Sequence, residues 1–294
     1  MIARLASRSH GVVTRRQLLR AGISSDEIKH RLATGALIRQ HRGVYRVGHR
    51  APSVEASYLA AVRACGEVAV LCGRAAAYLQ GLIKDGPPPP EVMASVKRCL
   101  RGVITHRVRR IDAADTTFWR GIPITTVPRT LVDVARDMPE EDLARACHEA
   151  GVRYRTTPRH VESVLRRWPN APGAGKLRRI ISGDSPVILS KLEKGFRRRL
   201  RHAGLQLPKT NRPAGKHYVD CRWPEHNLTV ELDSYTFHHT RHAWEQDRRR
   251  EREARARGDE FRRYTWGDVF EEPEPMLVEL RKLLMEWPPG RART

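Results

Sequence analysis

The sequence predicts a multidomain protein of the α+β or α/β class, and three patterns along the chain indicate it. Residues 1–50 read as short helices followed by a basic hairpin, which predicts an N-terminal winged helix-turn-helix. Residues 51–182 mix helix and strand patterns, and residues 183–288 form a second α/β pattern. The length of 294 residues is enough for two or three hydrophobic cores. The tail, residues 289–294, is expected to be disordered.

The composition is strongly basic, with 55 Lys and Arg against 33 Asp and Glu and a net charge of +22. This excess predicts a polyanionic partner, and nucleic acid is the first candidate because Arg matches phosphate groups well. Codon usage in a GC-rich genome is the alternative explanation for part of the Arg content. The five cysteines form no CxxC pair, and no run of eighteen apolar residues occurs. We therefore expect a reduced, cytoplasmic protein with no membrane segment.

The N-terminal 50 residues contain eleven Lys and Arg and only two acids. Thr14 is expected to cap one helix, a further helix is expected at residues 26–33, and two strands around Arg42-Gly43 predict a wing. In this arrangement the last helix enters the major groove and the wing meets phosphates or the minor groove. The residues expected to contact DNA are Arg15, Arg16, Ser25, Lys29, His30, Arg31, Arg39, Arg42 and Arg46.

Three stretches of this region resemble the N-terminal domain of AbiEi-type antitoxins. They are Gly11-Val-Val-Thr-Arg, Ala21-Gly-Ile-Ser and Arg42-Gly-Val-Tyr. Members of that family are transcriptional repressors of type IV toxin–antitoxin systems, so the resemblance implies DNA as a partner and a cognate toxin as a further candidate partner. A winged helix that serves only protein contacts is the alternative.

The middle region, residues 51–182, is expected to be a mixed α/β domain of AbiEi-like type without chemistry of its own. Helices are predicted at residues 54–64, 72–82, 128–136, 140–150 and 157–167, and strands at residues 91–96, 102–108 and 122–127. His106 and Asp133 have no partner group that the sequence reveals, so we interpret them as structural. The best linker signals are residues 169–176 and 182–186, and Gly173-Ala-Gly-Lys reads as a turn.

Three carboxylates gather around one predicted hairpin in the C-terminal region. Glu231 and Asp233 fall on the same face of a strand, because side chains alternate along it, and Asp220 ends the preceding segment. Like charges placed this close repel each other, which predicts a divalent cation such as Mg²⁺ or Mn²⁺ among them. His238 follows as a candidate proton donor or acceptor.

The order Asp220, then Glu231-x-Asp233, resembles the D…(D/E)xK core of restriction-endonuclease-like nucleases. It is most similar to the variant in domains related to the very-short-patch mismatch-repair endonuclease, where a helix with Ser-x-x-Glu precedes the core, as Ser190 to Glu193 does here. The resemblance covers roughly residues 185–285. It implies a restriction-endonuclease-like α/β domain with catalytic residues Glu193, Asp220, Glu231, Asp233 and His238, of which Asp220, Glu231 and Asp233 bind the metal.

Two positions depart from that pattern. Asp233 replaces the usual Lys, which fits the mismatch-repair subgroup, and Ser234 replaces the usual Gly. Glu193 is equally explained as an ordinary helix residue that pairs with Arg197 four positions later. The sequence predicts a DNA-binding protein with a metal-dependent endonuclease domain. The alternative is an antitoxin-like transcriptional regulator whose nuclease-shaped domain is inactive.

Overall fold

The computed structural model describes residues 2–7, 9–48, 53–96, 98–182, 186–214, 217–233, 249 and 251–286. At residues 186–190, 211–214, 217–220, 233 and 286 it describes the backbone alone. The chain divides into two compact units. The first comprises Met1–Met138 and Val152–Ala174, and the second comprises Pro139–Gly151 and Gly175–Thr294.

The first unit begins with a winged helix-turn-helix. Its elements are α1 (Ile2–Ser7), β1 (Val12–Thr14), α2 (Arg15–Arg20), α3 (Ser25–Ala33), β2 (Leu37–His41) and β3 (Val44–Val47). The strands form an antiparallel sheet in the order β1-β3-β2. Thr14 and Gln17 cap α2 reciprocally, and Ser24 caps α3 by accepting a hydrogen bond from the Glu27 amide. The predicted helices and wing are confirmed, and β1 is an additional strand.

A five-stranded sheet follows the winged helix in the first unit. Its elements are α4 (Val54–Cys65), β4 (Val70–Leu71), α5 (Gly73–Leu79), β5 (Glu91–Ala94), β6 (Ile104–Arg107), β7 (Thr116–Trp119), β8 (Ile122–Thr125), α6 (Val127–Val134) and α8 (Pro158–Arg167). The strand order is β6-β5-β4-β8-β7. The β5–β6 and β4–β8 pairs are parallel, and the β4–β5 and β7–β8 pairs are antiparallel. The sequence did not predict β4 and β7.

Helix α4 joins the core of the winged helix to the core of the five-stranded sheet. Val12 and Val44 pack in one cluster with α4, whereas Val13 and Tyr45, on the opposite face of the small sheet, pack in another with α1, α2 and α3. Alternation along the strands explains this division, since neighbouring side chains point to opposite faces. One face of the small sheet of the winged helix thus packs against an apolar core that α4 shares with the five-stranded sheet.

The second unit is a four-stranded sheet with helices. Its elements are part of α7 (Glu140–Tyr154), α9 (Ala174–Ser182), α10 (Pro186–His202), β9 (Lys209–Ala214), β10 (His217–Trp223), β11 (Leu228–Asp233), the helical residues 251–256 (α11), β12 (Glu260–Thr265), α12 (Trp266–Phe270) and α13 (Pro273–Glu286). The strand order is β12-β11-β10-β9, in which only β11 and β12 are parallel among the pairs described.

An apolar stripe along α10 packs into the core of this unit, because its members are three or four residues apart. Leu192, Phe196 and Leu200 are fully buried. The ring of Phe196 lies 6.4 Å from that of Trp223 and 6.1 Å from that of Tyr264, which places α10 across the sheet. Among the helices described, none is long and apolar enough to cross a membrane.

Candidate functional site

Helix α3 presents an exposed basic surface of the winged helix. Lys29 and His30 are exposed on α3, and Arg31 is half-exposed beside them. Lys29 pairs with Asp26 at 2.9 Å and Arg31 with Glu27 at 2.6 Å, both within the helix. Exposed pairs of this kind contribute little, about 0.5 kcal/mol or less, so a phosphate or a base can displace them.

A groove of about 640 Å³ lies beside this surface, and arginines dominate its lining. They are Arg15, Arg16 and Arg20 from α2, Arg42 from the wing turn and Arg63 from α4. The Arg15 amide donates to the Gly43 carbonyl at 2.8 Å, and its Nη2 donates to Ser25 Oγ at 2.7 Å. These contacts bring the start of α2, the start of α3 and the wing turn together. Guanidinium groups gathered in an open groove suit a phosphate backbone.

Two arginines of the groove were not predicted. Arg20 lies on the last turn of α2, and Arg63 lies on α4, outside the 50 residues that the sequence assigns to the winged helix. Arg63 donates hydrogen bonds to the Val12 carbonyl and to Ser9 Oγ, and this ties α4 to β1. No local sequence pattern predicts this contact, because it forms only when α4 packs on the small sheet.

The other predicted DNA contacts differ in their surroundings. Arg39 and Arg42 are exposed. Arg16 forms an ion pair with Glu67, which is itself exposed. Arg46 is half-buried and lies on the sheet face that carries Val44, the face packed against α4. Of the nine predicted residues, Arg46 therefore has the surroundings least suited to DNA.

The predicted acidic site lies on the sheet of the second unit, and its two strands are neighbours there. Cys221 pairs with Val230 across β10 and β11, so the antiparallel register, taken one step further, sets position 220 beside position 231. Glu231 is 7% exposed, and one of its oxygens accepts a hydrogen bond from Arg263 Nη2 at 3.2 Å. Arg263 stands directly beside it in the parallel β11–β12 register.

The remaining residues of that predicted site are only partly described. Glu193 is half-buried on α10, next to the apolar stripe. The side chains of Asp220 and Asp233 lie outside the described part of the structure, as do Ser234 and His238 as a whole. The five catalytic candidates and the Mg²⁺ or Mn²⁺ that three of them would bind therefore stay predictions.

A cavity of about 500 Å³ opens in the first unit, in the region where no chemistry was predicted. His106 and Asp133 both line it, together with Cys72 and Glu91. His106 Nε2 and Glu91 Oε1 are 2.7 Å apart, and this hydrogen bond raises the pKa of His106. The expectation that His106 has no partner is wrong, whereas its interpretation as a structural residue stays a prediction. Its partner stands 15 positions away in sequence and approaches because β5 and β6 are paired in parallel.

Asp133 also has a partner, which corrects the same expectation. Its Oδ1 accepts a hydrogen bond from Arg129 Nε at 2.8 Å, whereas its buried Oδ2 accepts none among the described residues. Burial raises the pKa of Asp133 to about 6, and Arg129 opposes this only in part. Burial also raises the pKa of the Cys72 thiol well above its ordinary value.

A buried polar network fixes Arg129 at the edge of this cavity. Asp115 is 3% exposed and accepts hydrogen bonds from Arg129, Arg167 and the Trp168 indole. The Arg129 guanidinium lies over the Trp168 ring at 4.2 Å. Arg129 thus holds Asp133 in one orientation at the edge of the cavity.

The fold and its basic surface define the N-terminal part as a winged helix of the DNA-binding class. Residues 1–48 match the family described as a transcriptional regulator, AbiEi antitoxin. The N-terminal domain is therefore similar to that family, as the three sequence stretches predicted. No curated protein matches the chain. The match ends at residue 48, and the nuclease resemblance of the C-terminal region stays a prediction.

Proposed function

We propose that the protein is a DNA-binding transcriptional regulator that reads a specific site through its winged helix. The observation that carries this proposal is the groove of arginines formed by α2, the wing turn and α4, next to an exposed basic α3. The match of residues 1–48 to an antitoxin regulator family supports the same function. The net charge of +22 adds a general attraction to DNA.

The two parts of this surface have different tasks in the proposal. Lys29, His30 and the Arg31 guanidinium lie on α3, the helix expected to enter the major groove and to contact base edges. Arg15 and Arg42 lie beside it and would bind phosphates, which fixes the orientation of α3 without reading sequence.

Substitutions in these two parts distinguish contacts to bases from contacts to phosphates. With a duplex selected from a random library by the full chain, we expect Lys29→Ala to weaken discrimination between the selected and an unrelated duplex. We expect Arg42→Ala to weaken binding to both duplexes alike and to reduce the salt slope by about 1. Fluorescence anisotropy at several salt concentrations measures both effects.

The exposed Arg110, outside the winged helix, supplies the matched control. Arg110→Ala should leave affinity and salt slope almost unchanged. If Lys29→Ala and Arg42→Ala behave like this control, the winged helix does not contact the DNA and the proposal fails.

The family description further suggests a toxin as partner, which co-purification with the product of a neighbouring gene would test.

A second candidate function is favoured by the order of elements in the second unit. Helix α10 precedes three antiparallel strands, and α11 then leads to β12, which joins the sheet in parallel. This is the order on which the resemblance to the mismatch-repair nucleases depends. The neighbouring positions 220 and 231 on β10 and β11 add to that support. We propose a metal-dependent DNA endonuclease activity for this unit.

The residues present fit a hard divalent ion. Glu231 is buried, and its negative charge needs a compensating cation, which Arg263 provides in the metal-free chain. Asp220, Glu231 and Asp233 would hold Mg²⁺ or Mn²⁺, which lowers the pKa of water and neutralises charge on a phosphate. His238 would transfer a proton to or from the reacting oxygens, and Glu193 would assist from α10.

Cleavage of supercoiled plasmid by the full chain tests this second function. With Mg²⁺ or Mn²⁺ we expect nicking, and Asp220→Asn should abolish it while DNA binding persists. Glu225→Gln, in the turn between β10 and β11, is the matched control and should remain active. Absence of cleavage with either ion, or full activity of Asp220→Asn, would leave the regulator with an inactive nuclease-like unit.

A further inference from the structure

We propose that Cys72, Glu91 and His106 form a binding site for a divalent transition metal, with Zn²⁺ as the best match. The Cys72 thiol sulfur, a Glu91 carboxylate oxygen and a His106 ring nitrogen all lie within 4.8 Å of one another. Among the residues that the structure describes, this is the one group of three or more metal-binding side chains so arranged. The site lies in the first unit and shares no residue with the predicted acidic site of the second.

The donor atoms determine which metal fits. A thiolate sulfur and an imidazole nitrogen favour Zn²⁺, Co²⁺ or Ni²⁺, whereas Mg²⁺ and Ca²⁺ prefer oxygen ligands throughout. With bonds of about 2.0 to 2.3 Å, tetrahedral ligand atoms lie roughly 3 to 4 Å apart. Side-chain shifts on the order of 1 Å would bring the three groups into that geometry.

Two of the ligands lie on neighbouring strands of the sheet, and the third directly follows the next strand. Cys72 follows β4 directly, Glu91 begins β5 and His106 lies on β6. The Cys72 amide donates a hydrogen bond to the Glu91 carbonyl at 2.9 Å, which fixes these two residues side by side. His106 pairs with Met93 in the parallel β5–β6 register. Ligands anchored on paired strands keep their separation, and this favours a preformed site.

Glu91 is held in place by the start of α5. Its Oε2 accepts a hydrogen bond from the Arg74 amide at 2.7 Å. Gly73 makes this approach possible, because a Cβ at that position would lie 2.1 Å from the carboxylate. The other oxygen, Oε1, faces His106 and remains available to a metal once the hydrogen bond between them is exchanged.

Three protein ligands leave one coordination position open, and the cavity lies beside it. The cavity holds about 500 Å³ and is lined by all three residues and by Asp133. A water in the fourth position would lie at this cavity.

Metal binding would release protons from the site. The ion replaces the Cys72 thiol proton and the proton of the His106–Glu91 hydrogen bond, so the affinity should increase as the pH rises. The metal then neutralises the thiolate and the carboxylate in a place where neither charge is otherwise well hydrated.

Cobalt titration of the metal-free full chain tests the proposal, because Co²⁺ is coloured and binds in zinc-like sites. We expect one Co²⁺ per chain to give the near-ultraviolet charge-transfer absorption of a cobalt–thiolate bond. Zn²⁺ should remove this absorption by displacement, and an excess of Mg²⁺ should not. Absence of the absorption in the wild-type chain would overturn the proposal.

Three variants assign the thiolate. Cys72→Ser should abolish the charge-transfer absorption, whereas Cys99→Ser, which alters an exposed cysteine, should retain it. His106→Asn changes a half-exposed side chain and should weaken Co²⁺ binding about tenfold or more without unfolding the chain. If Cys72→Ser keeps the absorption, if Cys99→Ser loses it, or if folded His106→Asn binds Co²⁺ as the wild type does, the site is not formed by these residues.

Discussion

Asp133 shows how a single residue can be incompletely satisfied in a well-packed domain. One of its oxygens bonds to Arg129, while the other is buried without a hydrogen bond among the described residues. An ionised carboxylate in that position lacks part of the solvation that it has in water, and this raises its pKa to about 6. The free energy of unfolding therefore depends on pH through the protonation of Asp133.

We expect Asp133→Asn to change how stability depends on pH. A carboxyl whose pKa is higher in the folded chain binds its proton more tightly there, so the wild type loses stability as the pH rises from about 4 to about 6. The variant has no proton to lose at this position. Its free energy of unfolding relative to the wild type should therefore rise over that pH window. Thermal unfolding across the window measures it, and a constant difference would contradict the expectation.

Asp115 illustrates the opposite case, a buried carboxylate with every contact in place. Because Arg129, Arg167 and the Trp168 indole all bond to it, Asp115→Ala removes one of the two carboxylates that compensate the buried Arg129 and the acceptor of the indole N–H. We expect a loss of about 3 kcal/mol in the free energy of unfolding by denaturant titration. Asp137→Ala removes an exposed partner of Arg136 and should change the same quantity by less than about 0.5 kcal/mol. Equal losses in the two variants would contradict the assignment of a structural role to Asp115.

Among the elements, α10 depends on one small residue. Gly195 lies where α10 meets α12, and a Cβ there would come within 2.2 Å of the Phe270 ring. That ring is itself packed on Trp266, with the centroids 4.2 Å apart. The glycine is therefore required by the close approach of the two helices, even though glycine disfavours a helix by about 1 kcal/mol relative to alanine.

We expect Gly195→Ala to lower the free energy of unfolding by about 1 to 3 kcal/mol, because overpacking outweighs the gain in helix propensity. Gly175→Ala on α9 is the matched control, since no atom lies within 4 Å of its added Cβ. The control should gain up to about 1 kcal/mol. Denaturant titration of both variants gives the comparison, and a stabilised Gly195→Ala chain would show that α10 and α12 do not pack this closely.

Sequence patterns predicted those helices and strands that have a clear capping residue or a clear alternation of apolar residues. Thr14 caps its helix as expected, and the strand predicted to carry Glu231 and Asp233 is β11. Strand β4 was missed because it has only two residues. Helix α9 was missed because it starts immediately after Gly173, in a stretch whose glycines and prolines indicated a linker.

The sites could be predicted only where their residues are close in sequence. The basic α3 and wing could be predicted from patterns within the first 50 residues. Arg63 could not, because it reaches the groove only through the packing of α4. Likewise, Cys72, Glu91 and His106 are far apart in sequence. They come together through the antiparallel pairing of β4 with β5 and the parallel pairing of β5 with β6, which no periodicity reveals. For this reason the sequence revealed no candidate site in the middle region.

At the scale of the whole molecule, the chain combines a basic winged helix with two candidate sites for further chemistry, one in each compact unit. The winged helix rests on α4, so its groove includes residues of the following region, and the regulator should be studied as the full chain. The acidic positions of the second unit and the cavity of the first are independent of that surface. If the proposed nuclease activity or the proposed transition-metal site were disproved, the DNA-binding proposal would still stand.

The affinity of the full chain for its selected duplex, compared with an unrelated duplex of equal length at physiological salt, tests the central claim most directly. A regulator that reads sequence through α3 should bind the selected duplex about a thousandfold or more tightly. Equal affinity for the two duplexes would show that the positive charge alone holds DNA, and would contradict sequence-specific recognition by the winged helix.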